Sequence, residues 1–149
     1  VILNCDRCER DLINQVLPWL YVGDCESSWD AMIQNGLAVK TIVNLHEHDD
    51  PDLDGIKQFQ FSLVDGEGNS WETIAEILDI IDERRKVGNV LVHCCAGMSR
   101  SPFIILSYLV VKEGKHIDQA MNLIEERYPR RSINPHLISL LRENLRPAA

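Results

Sequence analysis

The chain has 149 residues, 45% of them apolar, which is enough for one well-filled core and short for two. Fifteen basic against twenty-three acidic side chains give a formal net charge of −8, which argues against a broad surface for nucleic acid or an anionic membrane. The longest apolar run, Phe103 to Val111, is interrupted by Ser107 and too short to span a membrane.

In chain order, Leu17 to Val22 reads as a short strand ended by Gly23 and Asp24, and a helix follows from about Glu26 to Gln34, closed by Asn35 and Gly36. Val39 to Leu45 reads as a buried strand, His46 to Gly55 as a polar loop, and Ile56 to Leu63 as a third strand. Asp65, Gly66, Glu67, Gly68 and Asn69 form a flexible acidic turn, and Asn69 with Glu72 gives a capping-box signature. Ile74, Ile77, Leu78 and Ile81 recur at helical spacing, so that helix has one buried face. Val90, Leu91 and Val92 make a short apolar strand running straight into His93 and Cys94. Pro102 suits the first turn of a helix that reaches about Lys112, is apolar almost all round and stops at Gly114. Two amphipathic helices follow, one presenting Ile117, Ala120, Met121 and Ile124, the other Leu137, Leu140, Leu141 and Leu145. Strands alternating with helices, then a helical tail, indicate an α/β layer structure in one domain, residues 1–149.

The junction from Val92 to Pro102 carries the chemistry. A turn entering a helix aims backbone N–H groups and the positive end of the helix dipole at one spot, where an anion such as phosphate can sit. Cysteine attacks as its thiolate, and a helix N-terminus, convergent amides and positive charge are the surroundings a nucleophilic cysteine needs. Five residues separate Cys94 from Arg100, enough for the backbone of Cys95, Ala96, Gly97, Met98 and Ser99 to wrap a tetrahedral dianion while the guanidinium grips two of its oxygens. Gly97 relieves the turn where a side chain would clash. The plainer reading makes Cys94 a small core residue, Arg100 a helix-start charge and His93 a satisfied core histidine.

As His93-Cys94-x-x-Gly97-x-x-Arg100-Ser101, these residues resemble the signature of the cysteine-dependent protein tyrosine phosphatase superfamily, and the fuller run from Val92 to Ser101 looks most like its dual-specificity branch, small atypical type. The resemblance covers nearly the whole chain. It implies a central mixed, mainly parallel sheet flanked by helices, with Cys94 forming a phosphocysteine and Arg100 binding the phosphate and its transition state. It also implies that His93 orients the loop, that Ser101 assists breakdown of the intermediate, and that no metal or cofactor takes part. One departure is Asn134-Pro135-His136 where relatives often carry Pro-Asn before the last helix, which leaves open whether Asn134 supports the loop or only ends a turn.

An alkoxide or phenolate leaving group needs a proton, so a carboxylic acid should come from a separate mobile loop. Asp65 follows the third strand, is set among glycines and lies twenty-nine positions before Cys94, as the resemblance implies for the general acid; Glu67 is the competitor, and both also suit a solvated turn. The Cys5-x-x-Cys8 pair has no partner pair at zinc spacing, and His46, His48, Asp49 and Asp50 suit a solvated loop, so neither group is expected to hold a metal. Packing is the default for Cys95 and Cys25.

The expected substrate is a phosphorylated protein. Members of the resembled superfamily that act on phosphoinositides often carry extra basic residues between the cysteine and the arginine; no lysine or second arginine lies between Cys94 and Arg100, which weakens that reading, and the acidic chain disfavours an RNA 5′-phosphate. Glucan phosphatases tend to have glycine where this chain has Ser99. Tyrosine-specific relatives have an aromatic-bearing recognition loop that deepens the pocket; the corresponding loop here, His46 to Gly55, contains no aromatic residue, so the resemblance implies a pocket shallow enough for phosphoserine and phosphothreonine as well as phosphotyrosine. A phosphatase of a non-protein ester and a phosphoresidue-binding module without turnover are the alternatives. Five irregularly spaced cysteines and no signal pattern fit a reducing cytoplasm, and the start at Val1 fits a trimmed chain or a piece of a longer one.

Overall fold

A computed structural model describes residues 13–24, 37–47, 52–94, 99–129 and 131–145. Its strands are β1 (Asn14–Leu17), β2 (Leu20–Gly23), β3 (Val39–Asn44), β4 (Lys57–Gln60) and β5 (Asn89–His93), side by side in the order β1-β2-β5-β3-β4. β2, β5, β3 and β4 run parallel, and β1 returns antiparallel on β2. The sheet is therefore mixed and mainly parallel, as the resemblance implied. The described helices are α1 (Trp71–Arg84), α2 (Arg100–Val111), α3 (Ile117–Arg127) and α4 (Pro135–Asn144). None of them is long and apolar enough to cross a membrane.

Three sequence expectations change. The first strand is a hairpin: Leu17 ends β1, Pro18 and Trp19 turn, and Leu20 starts β2. Asn69 does not cap α1; Ser70 is the N-cap and its side chain accepts from the Glu72 N–H. Asn69 instead closes the preceding turn on itself, accepting from Val64 N–H at 2.9 Å and donating to the carbonyls of Val64 at 2.7 Å and Gly66 at 3.3 Å. Both Asn69 and Ser70 can cap, and three bonds to loop groups win over one to a helix amide. The third strand, expected over Ile56 to Leu63, is Lys57–Gln60 only, although Phe61 and Leu63 still donate to the carbonyls of Asn44 and Leu45 beyond the regular ladder. The helix expected at Glu26 to Gln34 lies outside the described residues.

Alternation along β5 divides the core. Val90 and Val92 join the main cluster with Ile74, Ile77, Leu78 and Ile81 of α1 and the buried side of α2, whereas Leu91 faces the other way onto Val39 and Ile42. Each of these buried aliphatic side chains contributes on the order of 1.5–3 kcal/mol. Helix α2 is buried from Ser101 to Leu109 because it packs on β5 and β2 while α1, α3 and α4 cover it. At the end of the sheet away from Cys94, Trp19 meets the Tyr108 ring edge-on at 5.4 Å and lies under the Arg85 guanidinium at 4.6 Å. Tyr108 donates to Asp82 at 2.8 Å and accepts from Arg85 at 3.2 Å.

Candidate active site

β5 lies in the middle of the sheet, and its carboxyl end delivers His93 and Cys94, which are 1% and 2% exposed. His93 is level with Gly23 of β2 and Asn44 of β3, and its carbonyl accepts from Leu45 N–H at 2.8 Å. Parallel neighbours on both sides thus hold the residue that precedes the sulfur. Crevices at the carboxyl ends of parallel strands are where open α/β sheets bind ligands. Cys95, Ala96, Gly97 and Met98 lie outside the described residues.

Arg100 is the first residue of α2, and its side chain is only 14% exposed. Its Nη1 donates to the carbonyl of Leu63 at 3.1 Å and to that of Leu45 at 3.4 Å, and stands 3.8 Å from Glu47 Oε2. Leu45 and Leu63 are adjacent because the β3–β4 pairing continues past the regular strands, so the sheet itself builds the socket for the guanidinium. Sequence reasoning missed this socket, since backbone carbonyls leave no mark on residue identity.

Ser99 is the N-cap of α2, yet its hydroxyl makes no capping bond. It donates to Asp65 Oδ1 at 2.5 Å and accepts from the backbone N–H of Asn134 at 2.8 Å. Asn134 Nδ2 donates to the Asp65 carbonyl at 2.9 Å, while Asn134 Oδ1 caps α4 through His136 N–H at 3.0 Å. Of the two readings left open by the sequence, Asn134 supports the loops rather than only ending a turn, and it also caps the last helix. Glu67 turns elsewhere, 3.3 Å from His136 Nδ1 on α4, across a cavity of about 200 Å³ that Asn69, Ser139 and Leu140 also line. Ser101, in the first turn of α2, is fully buried, and its hydroxyl has no hydrogen-bond partner among the described residues. Cys94 is a free thiol.

A family model described as the dual specificity phosphatase, catalytic domain, matches residues 20–146. The chain belongs to this family. It is 30% identical over 118 residues to mouse dual specificity protein phosphatase 2, covering 76% of this chain and 36% of that protein. It is 30% identical over 137 residues to human dual specificity protein phosphatase 4, covering 84% and 34%. The chain thus spans about a third of the length of the curated relatives it matches. Among solved structures, human DUSP28 superposes with a TM-score of 0.82 at 21% identity, covering 91% of this chain and 94% of that one. DUSP15 gives 0.79 at 28% identity, covering 88% and 85%. The structure brings the Asp65 turn against Ser99, within the run His93 to Ser101 on which the sequence resemblance rests.

Proposed function

We propose that this chain, as one catalytic domain over residues 1–149, dephosphorylates phosphotyrosine, phosphoserine and phosphothreonine in proteins through a phosphocysteine. The Cys94 thiolate attacks phosphorus in line, and the backbone amides from Cys95 to Arg100 receive the equatorial oxygens. Anchoring Arg100 through Nη1 leaves Nε and Nη2 to hold two of those oxygens in a bidentate grip. His93, buried at the strand end, fixes the approach of the loop. The Ser101 hydroxyl, buried in the first turn of α2, assists departure of the sulfur when water attacks. Asp65 gives its proton to the leaving oxygen and then takes one from that water. No metal or cofactor enters these steps, and a reducing compartment, the cytoplasm, suits a free nucleophilic thiol.

The observation that carries this reading is the contact between Asp65 and Ser99, which brings a carboxyl group to the arginine end of the signature loop across 34 residues of sequence. The test is hydrolysis of an aryl phosphate with chelator present, for the native chain and for Cys94→Ser. Activity that survives chelation and disappears in the variant is expected; activity that persists in Cys94→Ser defeats the mechanism. A panel of phosphotyrosine peptide, phosphothreonine peptide and phosphoinositide then ranks substrates, and preference for the lipid would replace the protein substrate.

A further inference from the structure

The hydroxyl of Ser99 has one proton and two acceptor sites. Asn134 N–H donates into one of those sites, and Asp65 Oδ1 lies 2.5 Å away, so the hydroxyl proton points to Oδ1. A hydroxyl that already accepts from an amide, and has no other described acceptor for its own proton, is a donor to the carboxyl group. From this we infer that Ser99 is a positioning residue for the acid: it occupies Oδ1 of Asp65 and thereby keeps the transferable proton on Oδ2. The inference rests on Asp65 as general acid and specifies which of its two oxygens acts.

The direction of this bond matters in both half-reactions. In the first, the S–P bond forms as the P–O bond to the leaving group breaks, and the Oδ2 proton moves to the leaving oxygen, so that an alcohol or phenol departs. In the second, water oxygen bonds to phosphorus as the S–P bond breaks, the water proton returns to Oδ2, and thiolate and inorganic phosphate are left. Ser99 keeps its own proton throughout, and its bond to Oδ1 strengthens when Asp65 becomes a carboxylate. It also explains why the N-cap serine of α2 does not cap: its hydroxyl is committed to the acid, away from the helix amides.

The experiment is a series of aryl phosphates of increasing leaving-group pKa, read as the slope of log kcat/KM against that pKa. Asp65→Ala tests the acid: the slope must steepen, and a slope equal to the native one removes Asp65 from the role whatever Ser99 does. Ser99→Ala tests the positioning. Its kcat/KM should fall throughout the series but about tenfold further for the poorest leaving group than for the best, because an acid free to rotate is misaligned where its proton matters most. Ser99→Thr, which retains the hydroxyl, should return the native slope, and adding Ser99→Ala to Asp65→Ala should leave the slope of Asp65→Ala unchanged. An equal loss across the series in Ser99→Ala, or a steep slope in Ser99→Thr, overturns the inference. Should Ser99→Ala fail to fold, the Ser99→Thr slope decides.

Discussion

Arg100 Nη1 donates to the carbonyl of Leu63, two residues ahead of Asp65, so the Arg100 guanidinium and the loop that carries Asp65 share one backbone anchor. A lysine can meet the two carbonyls or the phosphate with its single ammonium, but it lacks a second edge for the other. Arg100→Lys is expected to lower kcat on an aryl phosphate by about 10²–10³-fold. Steady-state kinetics on a variant with native circular dichroism checks this, and a loss below about fivefold would count against bidentate phosphate binding.

Asp65→Ala should lower kcat about 10²–10⁴-fold on a phosphopeptide while KM changes far less, because the acid acts on the leaving oxygen and not on the bound dianion. Unchanged turnover would assign the proton to another donor. Glu67→Ala serves as the comparison; its carboxylate pairs with His136 on α4, and little change in kcat is expected.

Asn134 allows its two jobs to be separated. Asn134→Ala removes the α4 cap and should destabilise the fold by about 1 kcal/mol in urea denaturation. Asn134→Asp keeps a capping oxygen and loses the Nδ2 donor to the Asp65 carbonyl, so stability should hold while kcat falls. A variant that is stable and fully active would show that this bond does not hold the acid in place.

Burial first, and then the hydrogen bond to Asp82, push the Tyr108 phenol up from 10.0 to about 12. In the unfolded chain the phenol ionises near 10.0, while the folded chain keeps its proton to about 12. Between those values the unfolded state binds fewer protons, so this contribution to stability is complete below the lower value and lost as pH rises through the upper one. Thermal melts should show native Tm falling faster than that of Tyr108→Phe over this window. At neutral pH the variant should be less stable by about 1–2 kcal/mol, with Asp82 and Arg85 left without their shared hydroxyl.

Much of this was legible in the sequence where local pattern decides structure. The spacing of Ile74, Ile77, Leu78 and Ile81 marked the buried face of α1, and Val90 to Val92 marked the strand that carries Cys94. β1 escaped notice because Asn14 to Leu17 is short, has a register shift after Gln15, and turns at Pro18 and Trp19 without a glycine or asparagine signal. The bonds joining Asp65, Ser99 and Asn134 span 34, 35 and 69 residues of sequence, and no periodicity encodes contacts of that range. Asn69 misled because its residue type fits a helix cap and a loop clasp equally well.

The strand order has a consequence for how the molecule comes apart. β5, which leads to Cys94, has a parallel strand on each side, whereas β4, which leads to the Asp65 turn, lies at the edge of the sheet and is bonded only to β3 among the described residues. Local opening begins at edges and reaches paired interiors last. In mild denaturant, amides of β4 should therefore exchange with solvent before those of β5, and an opened molecule would still hold Cys94 at its strand end after releasing the Asp65 turn.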